Sequence, residues 1–349
     1  MESIIHSRKN EHILLALKNE NDLADRSWTG FHHYRFEHLA APEIDFAEVD
    51  TSITLFGKKL SAPLIIGAMT GGTEQAFEIN KILAKAAEAR GIGMALGSQR
   101  AMLEDAAVTK SFAVKNHAPA LPLLFGNIGA VQLNLGVNAL DVSRLIATIG
   151  ADAFHVHFNP LQEIIQKEGD RNFSALLEKV ECVADTLKNK GIHTPLLVKE
   201  IGSGISATSA KNFAKLSLAG IEVAGLGGTS WAKIESQRSQ SIELQNLGQL
   251  FSDWGISTTD SIQNARKYFS DRIVLASGGI RNGIEIAKSL NLGADACSLS
   301  RPFLISASSS LEETLQLIDR LVLELKTTMF LTGSKNIFEL KQKELVKMI

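Results

Sequence analysis

Ala153-Phe154-His155-Val156-His157-Phe158 runs straight into Asn159-Pro160-Leu161-Gln162-Glu163, and that abrupt break decides how the chain is read. Side chains of a strand alternate between faces, so His155 and His157 point the same way. One strand end thereby gathers imidazole, amide and carboxylate into a small volume. A packing strand needs no such set, yet a histidine near a strand end is often only a satisfied residue, so this stretch alone leaves both readings open.

Repetition tips the balance. Residues 63–68 run into Met69-Thr70-Gly71-Gly72, 94–96 into Gly97-Ser98-Gln99-Arg100, and 121–125 into Gly126-Asn127-Ile128-Gly129. Residues 195–198 lead to Lys199-Glu200, and 221–224 to Gly225-Leu226-Gly227-Gly228-Thr229-Ser230-Trp231. Residues 272–276 lead to Ser277-Gly278-Gly279-Ile280-Arg281, and 294–297 to Ser298-Leu299-Ser300. Continuous apolar strands alternating with amphipathic stretches predict a parallel sheet buried on both faces. Eight such units over about 250 residues predict an α/β fold, a (β/α)8 TIM barrel, with its chemistry at the carboxyl ends of the strands.

The 349 residues are read as a single domain: an N-terminal extension (1–62), a barrel core (63–304) and a C-terminal helical tail (305–349). A Rossmann arrangement is disfavoured, because no Gly-x-Gly-x-x-Gly follows the first strand.

A formal net charge of −2 with both signs interspersed predicts neither a nucleic-acid partner nor an anionic membrane surface. No apolar run approaches the ~20 residues of a spanning helix, and the first nine residues lack a signal-peptide core. A cytoplasmic location is expected. Cys182 and Cys297 show no Cys-x-x-Cys spacing and are expected to be reduced packing residues; His32, His33 and His38 read as solvated loop histidines.

The glycine clusters carry a more specific expectation. Backbone N–H groups exposed by Gly278 and Gly279, with Arg281, Ser298 and Ser300 nearby, suit a phosphate monoester after the seventh and eighth strands. Gly71-Gly72 and Gly227-Gly228 let a flat ring approach the backbone closely. Lys199 emerges toward the same cavity, and a buried lysine needs an anionic partner.

These stretches, with Arg8-Lys9-Asn10-Glu11-His12 near the N-terminus and Glu168-Gly169-Asp170-Arg171, resemble type 2 isopentenyl diphosphate isomerase, the flavin-dependent family. The likeness runs from Arg8 through Ser300, with one departure: Ala224 stands where the family commonly has serine. The resemblance implies FMN across the barrel mouth, with Ala68, Met69, Thr70 and Gly71 along the ring, Ser98 and Asn127 near it and Thr229 beside it. The FMN phosphate would meet Gly279, Arg281, Ser298 and Ser300. Lys199 would face the N1 and O2 edge of the ring.

The resemblance further implies catalytic parts for Lys199, Gln162 and His157, with Gln162 orienting isopentenyl or dimethylallyl diphosphate. Arg8, Lys9, His12, Gln99, Arg100, His157, Asn159 and Gln162 would bind substrate. Glu163 would hold Mg2+. NADPH would reduce the flavin, and the protein would form a tetramer or octamer. From spacing alone, Arg8, Lys9 and His12 read as a solvated basic arm. Two alternatives stay open: an FMN-dependent 2-hydroxy acid oxidase or dehydrogenase, and a non-catalytic flavin-binding protein.

Overall fold

The computed structural model describes residues 4–17 and 26–348, with side chains described for 9–17 and 27–348. Among these residues eight parallel strands close into a barrel: β1 Leu64–Ile66, β2 Gly93–Ala95, β3 Leu123–Gly129, β4 Ala153–His157, β5 Leu196–Lys199, β6 Gly220–Glu222, β7 Ile273–Ala276 and β8 Ala296–Leu299. Each pairs with the next in chain order, and β8 returns to β1 through Ser298↔Ile65. The apolar runs therefore locate all eight strands.

Their ends differ from the hydrophobic boundaries. β3 continues to Gly129, opposite His157, because the ladder to β4 continues past the last large apolar side chain. β6 stops at Glu222 and leaves Ala224 with a left-handed φ of 39°. Backbone pairing, unlike burial, depends on what the neighbouring strand offers.

Period-two alternation sorts the barrel interior into layers. Near the amino ends of the strands, Ile65, Ala95, Phe125, Leu197, Leu275 and Ala296 form one apolar cluster. Leu55 and Leu60 of a hairpin (Ile53–Leu55 with Lys58–Leu60) join it and stopper that end. Two residues further along the strands, the same inward face carries Asn127, His155, Lys199, Ser277 and Ser298, all buried. On the opposite face, Ile66, Ile128, Val156 and Val198 pack outward with the helices.

Those helices start and stop where the chain dictates. Thr73 caps Glu74–Arg90 by accepting from Ala76 N, and Gly91 ends it at a φ of 62°; Asn138 and Asp141 form a capping box at Ala139–Ile149. The segment expected as a tail does more than trail. Leu311–Leu331 packs against both Glu74–Arg90 and Gly283–Asn291 and completes the outer ring, burying Ile318, Leu321, Leu325 and Met329. Leu345–Lys347 then pairs antiparallel with Tyr34–Phe36, tying the C-terminal segment to the N-terminal one.

His32, His33 and His38 are exposed, and Cys297 is buried. Cys182 corrects the packing expectation. It lies on the outer face of Leu176–Asn189, whose Val180, Val183, Ala184 and Leu187 take the inner one. No group of three or more His, Cys, Asp or Glu suited to a metal occurs among the described residues. No described helix is long and apolar enough to cross a membrane.

His155 lies wholly inside the barrel, its ring stacked on Phe125 at 4.7 Å and 6°. Burial pushes it down from 6.5 to about 4, with Lys199 adding to the shift and Glu222 opposing it. The unfolded chain therefore binds the extra proton between those values, and stability falls as pH drops from 6.5 to about 4. One such group contributes at most about 1.4 kcal/mol per pH unit. Urea denaturation at pH 7, 6 and 5 should show a shallower acid loss for His155→Gln than for the parent. Equal slopes would mean that His155 takes its proton without cost.

Candidate active site at the carboxyl end of the barrel

The strand ends open into one broad cavity. Ala68, Met69, Thr70 and Gly71 line it after β1, Ser98 after β2 and Asn127 on β3. Lys199 rises into its floor from β5; Thr229 borders it after β6, Gly279 and Arg281 after β7, and Ser298 and Ser300 at β8. On the other side stand Arg100, His157, Asn159, Gln162 and Glu163, under Lys9 and His12 of the helix Ile4–Ala16.

Gln99 is the exception. Its side chain is fully buried, accepts from Asn127 N at 2.9 Å and points away from the cavity, so the expected substrate contact is corrected to a strand-to-strand tie. A chain of amides starts there. Asn127 donates through Nδ2 to Leu96 O at 3.2 Å, which turns its Oδ1 toward His157 Nδ1 at 2.9 Å. Nδ1 therefore carries the proton, and Nε2 of the neutral ring is an acceptor. Burial pushes His157 down to about 3, helped by Lys199 and His155, so the ring is neutral at neutral pH.

Pro160–Ile165 begins immediately after β4, which puts Gln162 and Glu163 in its first turns. Asn159 Nδ2 donates to both, at 3.0 Å to Gln162 Oε1 and 2.8 Å to Glu163 Oε1. Asp170 N donates to Glu163 Oε2 at 2.7 Å. Asn159 Oδ1 is buried and has no partner, an acceptor left for something the cavity takes in.

Gln162 is fixed at its other end by Glu235, which accepts from Nε2 at 2.8 Å. Glu235 also meets His12 Nε2 at 2.9 Å and Arg238. Burial opposes ionisation of Glu235, yet His12 and Arg238 hold its carboxyl below the ordinary range. Sequence reading missed this residue. Its only signal is its place on the helix Trp231–Arg238, directly after the Gly-Gly-Thr-Ser run that Ser230 caps.

The helix Ile4–Ala16 lies over the mouth and is not a solvated arm. Lys9 donates to Gly71 O and sits 5.3 Å above the Phe112 ring; Ile13 is buried, His12 packs edge-on to Trp231, and Arg301 Nε donates to Ala16 O at 2.8 Å. The side chain of Arg8 lies outside the described residues.

A flat ring ending in phosphate fits this donor set. Ser298 Oγ is buried and unpartnered where the phosphate is expected. A Cβ on Gly228 would come within 2.7 Å of Gly279 N, and one on Gly279, at φ +71°, would strike Gly227 O at 2.6 Å, so both loops depend on glycine to close around the site. Ala224 brings no hydroxyl; Ser277 Oγ instead accepts from Ala224 N at 3.0 Å.

Residues 11–119 and 163–347 match the model of the FMN-dependent dehydrogenase family. The isopentenyl-diphosphate delta-isomerase of Nostoc sp. is 42% identical over 335 residues, covering 96% of this chain and 94% of its own. That of Paracoccus zeaxanthinifaciens is 41% identical, covering 97% and 95%. Among solved structures, a Pediococcus acidilactici putative lactate oxidase superposes with a TM-score of 0.68 at 18% identity, covering 99% of this chain and 94% of its own. A flavocytochrome b2 with sulfite bound gives 0.68 at 17%, covering 96% and 82%; at such identity the likeness speaks for the barrel alone. Taken with the strand-end residues above, these relatives place the chain in the family of FMN-dependent isopentenyl-diphosphate delta-isomerases.

Proposed function

We propose that this chain interconverts isopentenyl and dimethylallyl diphosphate by a 1,3-allylic proton shift over FMN. The observation that carries the reading is the pairing, across one cavity, of Lys199 on the floor with a locked Asn159–Gln162–Glu163 set on the wall. Bound reduced FMN would supply the acid and base toward an alkene that a carboxyl group protonates only with difficulty. Thr70, Ser98, Asn127 and Thr229 would hold its ring, and Gly279, Arg281, Ser298 and Ser300 its phosphate. Lys199 would offset the charge of the reduced ring in a water-poor site.

Gln162 orients the allylic carbons, because Asn159 and Glu235 fix both ends of its amide. Glu163 would hold Mg2+ through oxygen, with water and substrate phosphate completing the shell, since this ion commonly takes one or two carboxylates. His157, Asn159, Arg100, Lys9, His12 and Arg8 would surround the diphosphate. His157 enters that pocket neutral, so to donate from Nε2 to the diphosphate it would take up a proton together with the anion. Ile13, Ala16 and Trp231 would cover the hydrocarbon end and exclude water.

The proposal includes NADPH as reductant of the flavin, required before a reaction with no net redox change. It also includes a cytoplasmic location, which two free thiols suit, and a homo-oligomer, for which exposed Ile242, Leu250 and Trp254 offer an apolar surface. Oxidation of a 2-hydroxy acid would need an imidazole base after β6, and 227–231 contain no histidine.

Four measurements test this reading. Flavin released from the purified chain should be FMN; protein that retains no flavin after reconstitution would end the proposal. Glu163→Gln should flatten the dependence of turnover on Mg2+ while the flavin-to-protein absorbance ratio stays at the parent value, and an unchanged Mg2+ curve would remove Glu163 from the metal site. Lys199→Ala should lower the midpoint potential of bound FMN, since the reduced ring loses its counter-charge; an equal or higher potential contradicts that role. Arg8→Ala should cost about 1.5 to 3 kcal/mol in kcat/KM for isopentenyl diphosphate, roughly tenfold to hundredfold, with little change in Tm. A variant indistinguishable from the parent would return Arg8 to the surface.

A further inference from the structure

The cavity floor holds a second charged group, Glu222, that the reaction as described leaves without a task. Glu222 ends β6 directly opposite Lys199 in the ladder, and its side chain is 3% exposed. Lys199 Nζ stands 3.6 Å from Glu222 Oε1 and donates to Glu200 O at 2.7 Å. His155 Nε2 stands 3.4 Å from Glu222 Oε2. Neither nitrogen of His155 has a hydrogen-bond partner; against the opposing effect of burial, Lys199, His155 and the hydroxyls of Ser277 and Ser298 hold the Glu222 carboxyl below its ordinary range.

Burying a carboxylate to this depth costs several kcal/mol, and an apolar side chain would fill the space without that penalty. The cluster therefore calls for an explanation beyond packing. With Lys199 at the end of β5, four bonds of flexible stem would otherwise let its ammonium wander through the cavity.

We propose that Glu222 is a positioning residue: with the Glu200 carbonyl it anchors the Lys199 ammonium at the edge of the bound flavin. This inference rests on the FMN reading above. His157 on the adjoining β4 and Glu200, the next residue along the chain, are the other titratable groups whose charges interact with Lys199.

Positioning and a simple through-space charge predict opposite signs. If Glu222 acted on the flavin only through its own field, Glu222→Gln would remove a negative charge and favour the reduced ring. If it holds Lys199, the same variant frees the ammonium, and the preference for reduced over oxidised FMN falls. The measurement is the ratio of dissociation constants for oxidised and reduced FMN, cross-checked by the midpoint potential. Glu222→Gln should lower the preference for reduced FMN about tenfold, and should lower it no further when added to Lys199→Met.

A rise, no change, or an equal fall in both backgrounds would overturn the proposal. Should Glu222→Gln not fold, Glu222→Asp keeps the charge and shortens the reach by one methylene. It should lower the same ratio part of the way, and an aspartate variant equal to the parent would overturn the proposal as firmly. Parent protein that binds no FMN would instead defeat the underlying functional reading, so the two failures are distinguishable.

Discussion

Period-two alternation in eight parallel strands is the constraint on which the remainder depends. Closure of the barrel gives every strand one inward face, and in four of them that face passes from apolar to polar within two residues: Leu197 to Lys199, Phe125 to Asn127, Leu275 to Ser277, Ala296 to Ser298. The lower layer is sealed by Leu55 and Leu60 of the hairpin beneath it. The upper layer meets the cavity. A one-residue slip of any strand would exchange its polar end for an outward valine or isoleucine, so the register that holds the core also places the chemistry.

Burial of polar groups in that upper layer is tolerated because most are cross-linked. Gln99, Asn127 and His157 form one chain that settles the imidazole tautomer. Asn159, Glu163 and Asp170 form another, and Gln162 is suspended between Asn159 and Glu235. Groups locked in this way lose little entropy when substrate arrives, which is the physical content of preorganisation. Two of the unpartnered atoms, Asn159 Oδ1 and Ser298 Oγ, stand where a ligand is expected.

The helix Ile4–Ala16 shows how a segment without a stripe of its own acquires a place. Its sequence is nearly as polar on one side as on the other, and spacing suggests only a basic arm. Docking is decided by partners far along the chain: Glu235 for His12, Gly71 for Lys9, Arg301 for Ala16 O. The result covers the cavity and shields its charges from water, which strengthens every electrostatic contact inside.

The order of strands, the polar strand ends and the glycine loops were legible in the sequence, because each is a local pattern of period or punctuation. So were the positions that line the cavity, since a barrel delivers every strand end to one place. Tertiary structure alone decided which polar groups turn inward. Gln99 faces the core instead of the cavity because Asn127 N lies within reach, and Glu235 serves Gln162 from 73 residues away. Glu222, inconspicuous between Ile221 and Val223, becomes the partner of Lys199 only when β5 and β6 lie side by side. Hydrogen bonds and ion pairs act over about 3 to 4 Å, and which residues come that close is a property of the closed barrel, not of their spacing along the chain.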